Sequence, residues 1–267
     1  MFTVEILTRG FSLTSDQGNF AFCGIYLISG EDADGRSRKV IYDLGHVGRR
    51  QKLQAALARR GLQPAEVDTV VLSHGHWDHL QNVDLFPSAG IVLHGEELEY
   101  MRNPHPDDHA TPRWSHLLLA GADVRTVSDG EDVVPGLTAL HLPGHSRGSI
   151  ALRLQTEAGV AAVTGDALAT AGDAVRLRCP VVFWNQDQAD ASLRRVRQSA
   201  DVFYPGHDRP FRMTASGQAE YLVPARPVTL RVPDASEFEV QVAEQDRSRP
   251  TLGGRAAELA AGGQPDQ

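Results

Sequence analysis

Four side chains of metal-binding types lie together in one short segment. In VVLSHGHWDHL, at positions 70–80, His74, His76, Asp78 and His79 fall within six residues. They directly follow an apolar run over 67–72, which predicts a buried strand. A purification tag would be terminal and unbroken, whereas this cluster is internal. Imidazole and carboxylate groups are ligands for zinc and related divalent ions, so this turn is predicted to bind metal.

Three further residues could complete such a site, which needs donors from separate parts of the chain. His145, Asp166 and His207 each follow a short apolar run and then a glycine, which lets the backbone turn closely. Four strand ends would thus deliver donors to one rim of a sheet. Together they supply five histidines and two aspartates, enough for two metal ions that share a carboxylate.

The other histidines have a simpler interpretation as hydrogen-bonded or surface residues: His46, His94, His105, His109, His116 and His141. Two of them, His105 and His109, lie in a Pro- and Asp-rich loop that could cover the site, so they are minor candidates for substrate contact. Asp43 ends an apolar strand. It is either a turn residue or an acceptor for the second ring N–H of a ligating histidine, and we favour the second role.

Strand and helix patterns interleave along the chain. Apolar residues at helical spacing predict a helix over 48–60, and further helices are predicted around 95–103 and over 187–199. A polar turn at 34–35 predicts an early hairpin. Strands with interspersed helices in each half indicate sheets layered with helices. The predicted strands are 2–8, 20–29, 39–45, 67–73, 90–94, 122–128, 137–143, 149–156, 160–165 and 201–207.

The composition is that of an ordinary globular chain, with 267 residues of which 41% are hydrophobic and 22% charged. A net charge of −8 disfavours nucleic acid as a partner. Two cysteines make no disulfide framework, which favours a reducing compartment. The first residues lack a signal-peptide pattern, and the apolar run near them is too short to cross a membrane. We therefore expect a cytoplasmic protein with a small-molecule substrate.

The donor set resembles the metallo-β-lactamase superfamily. That family is marked by a His-x-His-x-Asp-His turn, followed by a His, a bridging Asp and a final His. The similarity spans Phe2 to Met213 and places Asp43 at the family's early aspartate. It implies an α/β fold, a four-layered αββα sandwich over 1–213 with the site along one edge. The rest is predicted to be a short β extension over 214–250 and a flexible tail over 251–267.

The resemblance also implies roles for the donors. Each ion would have three side chains of its own, and one carboxylate would bridge the pair: His74, His76 and His145 for one ion, Asp78, His79 and His207 for the other, and Asp166 between them. Two zinc ions are the expected cofactors, although iron or manganese would suit the same donors. A hydroxide bridging the ions would attack the substrate, and Asp78 is the candidate to pass a proton to the leaving group.

Differences from the sequence patterns of known family members reduce the number of possible functions. Several true β-lactamases carry Cys at the place of Asp166, glyoxalase II adds a helical end, and lactonases of acyl-homoserine lactones have a Tyr shortly after the bridging Asp. Here position 166 is Asp, GDALATAGDA contains no Tyr, and the Pro-broken C-terminal segment does not resemble such a helical end. We expect a hydrolase of a lactone, ester or thioester, with a phosphodiesterase or nuclease as the alternative. A mononuclear iron oxygenase and an inactive ligand-binding sensor are weaker alternatives.

Loops around the site would set specificity. SHGHWDHLQNVDLFPSA and YPGHDRPFRM are similar to a subgroup of the family, the metallo-β-lactamase domain-containing protein 1 type. The candidates for the substrate pocket are Phe20, Trp77, Trp184 and Arg176, although packing is the commoner role of an aromatic side chain. The β extension could pair between subunits, which would give a homodimer.

Overall fold

Fifteen strands, five α-helices and five short 3₁₀ helices make up the regular structure of the described residues, which are 1–15 and 18–229 of a computed structural model. The strands are β1 (Phe2–Thr8), β2 (Phe11–Ser15), β3 (Gly18–Phe22), β4 (Ile25–Glu31), β5 (Ser37–Tyr42), β6 (Thr69–Val71), β7 (Gly90–His94), β8 (Val124–Val127), β9 (Asp132–Val134), β10 (Leu137–His141), β11 (Ile150–Thr156), β12 (Gly159–Gly165), β13 (Val202–Pro205), β14 (Phe211–Met213) and β15 (Ala219–Tyr221). The helices are α1 (Arg50–Ala58), α2 (Trp77–Leu80), α3 (Gly95–Arg102), α4 (Ala171–Arg176) and α5 (Gln186–Ser199).

The strands form two main sheets and a separate hairpin. The first sheet has the order β1-β4-β5-β6-β7-β8, and the second has the order β15-β14-β13-β12-β11-β10-β9. Within the described part of the chain, β2 pairs only with β3. Strands β5 to β8 run parallel in the first sheet, as do β12 and β13 in the second. The carboxyl ends of parallel strands meet at one edge, which is where the predicted donors begin.

Four layers follow from where the apolar side chains are buried. Val40 and Val71 of the first sheet pack against Leu152 and Val163 of the second, which forms the central core. On the outer face of the first sheet, α1 and α3 bury a second apolar cluster. On the outer face of the second sheet, α5 buries a third. The predicted αββα sandwich is confirmed.

Two buried tyrosines join the sheets through hydrogen bonds. The Tyr42 hydroxyl on β5 donates to the carbonyl of Ile150 on β11 at 2.6 Å. The Tyr26 hydroxyl on β4 donates to the carbonyl of Pro205 on β13, also at 2.6 Å. Burial raises the pKa of both phenols, so both remain neutral donors at physiological pH.

The predicted strand over 20–29 is divided at Cys23–Gly24 into β3 and β4. The apolar run in the sequence gives no indication of this break, because the break is caused by tertiary contacts. The Gly24 N–H donates to the carbonyl of Gly206 at 2.6 Å, and a Cβ at position 24 would lie 2.5 Å from the Tyr26 hydroxyl oxygen. The chain therefore leaves the hairpin where it contacts the segment that carries His207.

The predicted helices over 48–60, 95–103 and 187–199 are confirmed as α1, α3 and α5, with shifted ends. The short strands β2, β9 and β14 were not predicted, and neither were the helices α2 and α4. α4 begins where the Thr170 side chain accepts a hydrogen bond from the Asp173 N–H. β15 extends the second sheet, and the extension and tail beyond 229 lie outside the described residues. No helix in the described ranges has the length and apolarity needed to cross a membrane.

We predict that Tyr42→Phe lowers the free energy of unfolding by about 1–2 kcal/mol, because it removes a buried hydrogen bond between the sheets. Urea denaturation would measure this loss. Tyr204→Phe is the matched control, since the Tyr204 hydroxyl has no hydrogen-bond partner among the described residues and is only partly buried. An equal loss in both variants would contradict the role of the Tyr42 hydroxyl.

Candidate metal centre

All seven predicted donors lie together at the edge where the parallel strands end. β6 leads into the segment with His74, His76, Asp78 and His79, of which the last two lie on α2. The other three donors follow the ends of β10, β12 and β13 in the second sheet. Their ligand atoms form two groups, each with all of its atoms within 4.8 Å of one another: His74, His76, His145 and Asp166 in the first, and Asp78, His79 and His207 in the second.

Three ring nitrogens converge in the first group. His145 Nε2 lies 3.2 Å from His74 Nε2 and 3.1 Å from His76 Nδ1. The imidazoles meet nearly at right angles, with interplanar angles of 89° and 68° to the His145 ring. All three residues are buried. Nitrogens gathered around one point at this spacing could share a single cation.

Asp166 faces both groups. Its Oδ2 lies 3.5 Å from His145 Nε2 in the first group and 3.1 Å from His207 Nε2 in the second. Its Oδ1 lies 3.5 Å from His79 Nε2. Asp78 completes the second group, with its Oδ2 3.5 Å from His207 Nε2.

Two glycines allow this approach of the second sheet's loops. Gly165 precedes Asp166 with a φ of 50°, a left-handed conformation that glycine adopts without strain. Gly206 precedes His207, and a Cβ there would lie 2.1 Å from Asp166 Oδ1. A side chain at position 206 would therefore displace the shared carboxylate.

The outward ring nitrogen of each donor histidine faces an oxygen of the protein. His79 Nδ1 lies 2.8 Å from Asp43 Oδ2, and His145 Nδ1 lies 2.8 Å from the carbonyl oxygen of Val181. An acceptor at one nitrogen keeps the proton there, so the other nitrogen turns a lone pair toward the centre. The remaining contacts are His74 Nδ1 to Ser73 Oγ at 2.8 Å, His207 Nδ1 to the Phe11 carbonyl oxygen at 3.4 Å, and His76 Nε2 to Asp108 Oδ2 at 3.5 Å.

These residues fit a metal ion. Asp78 Oδ2, His79 Nε2 and Asp166 Oδ1 are buried and have no hydrogen-bond partner. With its proton on Nδ1, His79 presents Nε2 as an acceptor, so three acceptors face one another without a donor. Buried polar groups without partners are rare in native proteins because they cost free energy. A cation would satisfy all three.

The electrostatics of the centre also favour a positive charge. Burial lowers the pKa of His79, but the carboxylates of Asp78, Asp43 and Asp166 outweigh it and raise that pKa to about 10. Burial raises the pKa of Asp166, but His207 and His79 outweigh it and hold that pKa well below its usual range. By contrast, burial lowers the pKa of His145 to about 4. His145 therefore provides the first group with a neutral ring nitrogen, and the carboxylates around His79 give the second group a negative electrostatic potential.

Asp43 sits behind His79 in a conformation that is uncommon for a residue other than glycine. Its φ is 58°, in the left-handed region. Besides facing His79, its carboxylate accepts hydrogen bonds from the Ser73 N–H at 2.8 Å and the Ser73 hydroxyl at 2.9 Å. Left-handed backbone at a non-glycine residue costs of order 1–3 kcal/mol and concentrates at functional sites.

Cys23 lies near Asp43 and His79, and the three could in principle form another metal group. Two observations weigh against this. The Asp43 carboxylate already engages His79 Nδ1, and burial raises the pKa of the Cys23 thiol well above its usual value. A protonated thiol is a poor ligand, so Cys23 is better described as core.

Glu97 on α3 connects the loops that carry the first group, and sequence reasoning missed it. Its fully buried carboxylate accepts hydrogen bonds from the Gly75 N–H at 2.7 Å, the Ser146 hydroxyl at 2.8 Å and the Gly148 N–H at 2.7 Å. Gly75 lies between His74 and His76, and Ser146 follows His145. In the sequence, Glu97 is one of several acidic residues of a helix, and only its place on the buried face sets it apart.

The predicted pocket residues do not line one common surface of the site. Phe20 on β3 and Trp184 are exposed, and the guanidinium of Arg176 pairs with the Asp173 carboxylate at 2.7 Å. Trp77 is half-buried and its ring centroid lies 5.2 Å from that of His46. Trp184 packs edge-on against Tyr100, with the ring centroids 5.9 Å apart.

The aromatic side chain that does contact the centre is Phe183, which was overlooked beside Trp184. Its ring centroid lies 4.8 Å from that of His76 and 5.6 Å from that of His145. Of the two minor candidates for substrate contact, His109 lies nearby, 5.5 Å from Phe183. His105 turns instead toward Asp107.

Comparisons with known proteins agree with this geometry. The model of the metallo-beta-lactamase superfamily matches residues 19–207. Metallo-beta-lactamase domain-containing protein 1 from Xenopus laevis is 30% identical over 180 residues, which are 67% of this chain and 70% of that protein. The chain spans 59–63% of the proteins of that name from Homo sapiens, Rattus norvegicus and Mus musculus.

More distant similarities point to the same fold. An N-acyl homoserine lactonase from Bacillus sp is 26% identical over 157 residues, which are 57% of this chain and 60% of that enzyme. A crystal structure of a quorum-quenching N-acyl homoserine lactone lactonase covers 74% of this chain and 85% of its own, with a TM-score of 0.58 and 19% identity.

We predict that Glu97→Gln lowers the free energy of unfolding by about 2–3 kcal/mol, because hydrogen bonds to a charged acceptor contribute about 1.5–3 kcal/mol each and the amide cannot accept all three. Metal content after purification should fall as well, since the variant loosens both loops of the first group. Calorimetry and elemental analysis would measure the two effects. Glu99→Gln, on the same helix but exposed, is the control and should change neither. Unchanged stability and metal content in Glu97→Gln would contradict the role of this carboxylate.

Proposed function

The chain belongs to the metallo-beta-lactamase superfamily, and on this premise we propose that it is a hydrolase with two zinc ions that cleaves a small acyl substrate, namely a lactone, ester or thioester. The position of Asp166 carries this proposal. One oxygen of its carboxylate lies within 3.5 Å of a histidine nitrogen from each donor group. A carboxylate so placed can bind two ions at once.

In this proposal, one ion would be held by His74, His76 and His145 and the other by Asp78, His79 and His207, and Asp166 would be shared. Divalent ions bound there would lower the pKa of water toward neutrality and polarise the carbonyl oxygen of the substrate. The protein's part is to fix the ligand atoms, which it does through the acceptors on the outward ring nitrogens.

We assign the transfer of a proton to the leaving group to Asp78. Its carboxylate is buried, and Oδ2 would bind the ion of the second group, which leaves Oδ1 of the same carboxylate to carry the proton. Oδ2 lies 3.5 Å from His207 Nε2, at the same edge as Asp166. A carboxylate in this position can receive a proton and release it to a departing oxygen or sulfur.

The surroundings favour a small substrate with an apolar part. Phe183 presents an aromatic ring beside His76 and His145, and the exposed Trp184 follows it directly in the chain. A net charge of −8 opposes the binding of a polyanion such as RNA. The distant lactonase relatives support acyl chemistry.

The chain nevertheless differs from the lactonases, whose Tyr after the bridging Asp it lacks. Four of its tyrosine hydroxyls donate to acceptors elsewhere: Tyr26 to Pro205, Tyr42 to Ile150, Tyr100 to Asp108 and Tyr221 to Asp208. The fifth tyrosine, Tyr204 on β13, packs edge-on against Tyr26 on β4. No tyrosine therefore replaces the missing hydroxyl. For this reason the proposed substrates include esters and thioesters as well as lactones.

We predict that the metal-loaded protein turns over at least one member of a panel of lactones, esters and thioesters. Asp78→Asn should lower kcat by about 100-fold or more, because it removes both the proton carrier and a charged ligand of the second ion. An activated phosphodiester and a short RNA would be assayed beside the panel. Asp166→Ala should abolish turnover, whereas Asp187→Ala, at an exposed position on α5, should retain it.

Cleavage of the phosphodiester or the RNA alone, lost in Asp166→Ala, would contradict the acyl substrate and make the protein a phosphodiesterase or nuclease. Turnover that survives Asp166→Ala would contradict the assignment of the centre itself.

A further inference from the structure

One outward-facing ring nitrogen at the centre is buried and has no hydrogen bond. His76 turns Nδ1 toward the first donor group, 3.1 Å from His145 Nε2. Its other nitrogen, Nε2, is buried and without a hydrogen-bond partner. The acidic atom it faces is Oδ2 of Asp108, at 3.5 Å, an ion-pair distance that is slightly long for a hydrogen bond.

Asp108 is held in place from two sides. It is buried, with a fractional exposure of 5%. Its Oδ1 accepts hydrogen bonds from the Ala110 and Thr111 N–H groups, both at 2.9 Å, and its Oδ2 accepts one from the Tyr100 hydroxyl at 2.8 Å. The carboxylate therefore cannot swing away from His76, and Oδ2 keeps a lone pair for the Nε2–H group.

We propose that Asp108 is a positioning residue for the metal ligand His76. It keeps the imidazole proton on Nε2, so that the Nδ1 lone pair is directed at the metal ion. This inference rests on the proposed metal centre, but it is independent of the substrate.

The arrangement repeats that of Asp43 and His79 on the other side of the centre. In both, a buried carboxylate fixed by other donors faces the outward nitrogen of a ligand histidine. Each donor group would thus have one such carboxylate. Asp43 follows the core strand β5, whereas Asp108 lies in the loop between α3 and the segment 115–119.

That loop is bound to the ligand turn a second time. The Trp77 N–H, next to His76, donates to the carbonyl of Ala110 at 2.9 Å. The same loop carries His109, whose ring lies beside Phe183. Asp108 therefore connects the loop that carries His109, at the edge of the centre, to the ligand His76.

Asparagine at position 108 would reverse the hydrogen bonding at His76. The Ala110 and Thr111 N–H groups would retain the amide oxygen on their side, which places the NH₂ group opposite His76. That group can only donate, so Nε2 would become the acceptor and the proton would move to Nδ1. The proton then occupies the position of the metal ion.

The test is a zinc titration of the full chain against a chromophoric chelator. Asp108→Asn should weaken the binding of one zinc ion by about 10–100-fold, the usual effect of losing an outer carboxylate. Asp107→Asn, the neighbouring exposed acid, should bind as the wild type does.

A second readout does not depend on the stability of the variants. In the zinc-loaded wild type, ring ¹⁵N NMR should show the His76 proton on Nε2 and zinc on Nδ1. Zinc on Nε2, or wild-type affinity in Asp108→Asn, would overturn the role of Asp108 alone. Absence of zinc binding by the wild type would overturn the metal centre as well.

Discussion

The burial of five imidazoles and two carboxylates at one edge of a β-sandwich is the constraint on which this structure depends. Charged and polar groups are costly to bury unless each is paired. Here the outward nitrogens face protein acceptors, so the inward nitrogens and the Asp166 and Asp78 oxygens are left as acceptors facing one another. Protons can relieve this conflict only in part, and the raised pKa of His79 shows that effect. Divalent cations would relieve it fully.

Much of the surrounding structure serves to hold these groups in place. The ends of parallel strands bring four segments of the chain to one edge, and the Tyr26 and Tyr42 hydroxyls join the two sheets there. Around the ligands stand three buried carboxylates, Asp43, Glu97 and Asp108, each fixed by at least two donors. Since each comes from a different element, the ligand positions are determined by the whole fold and not by one loop.

The grouping of the seven donor side chains could be predicted from sequence because their signal is local. His74 to His79 form a dense cluster after an apolar run, and the other donors share the order strand, glycine, ligand. Layers and main helices could be predicted for the same reason, since periodicity is local as well. Glu97 and Asp108 could not, because an acid on a helix or in a polar loop looks like a surface residue until the tertiary fold buries it. The break at Gly24 was hidden likewise, because its cause is a contact with Gly206.

The central claim, that the seven donors hold a pair of metal ions, is tested most directly by anomalous diffraction from crystals of the purified protein at the absorption edge of the metal it contains. Two peaks are predicted, one among His74, His76 and His145 and the other among Asp78, His79 and His207, with Asp166 between them. A single peak would leave one donor group without an ion and contradict the paired centre. The absence of any peak in protein supplied with zinc would contradict the account as a whole.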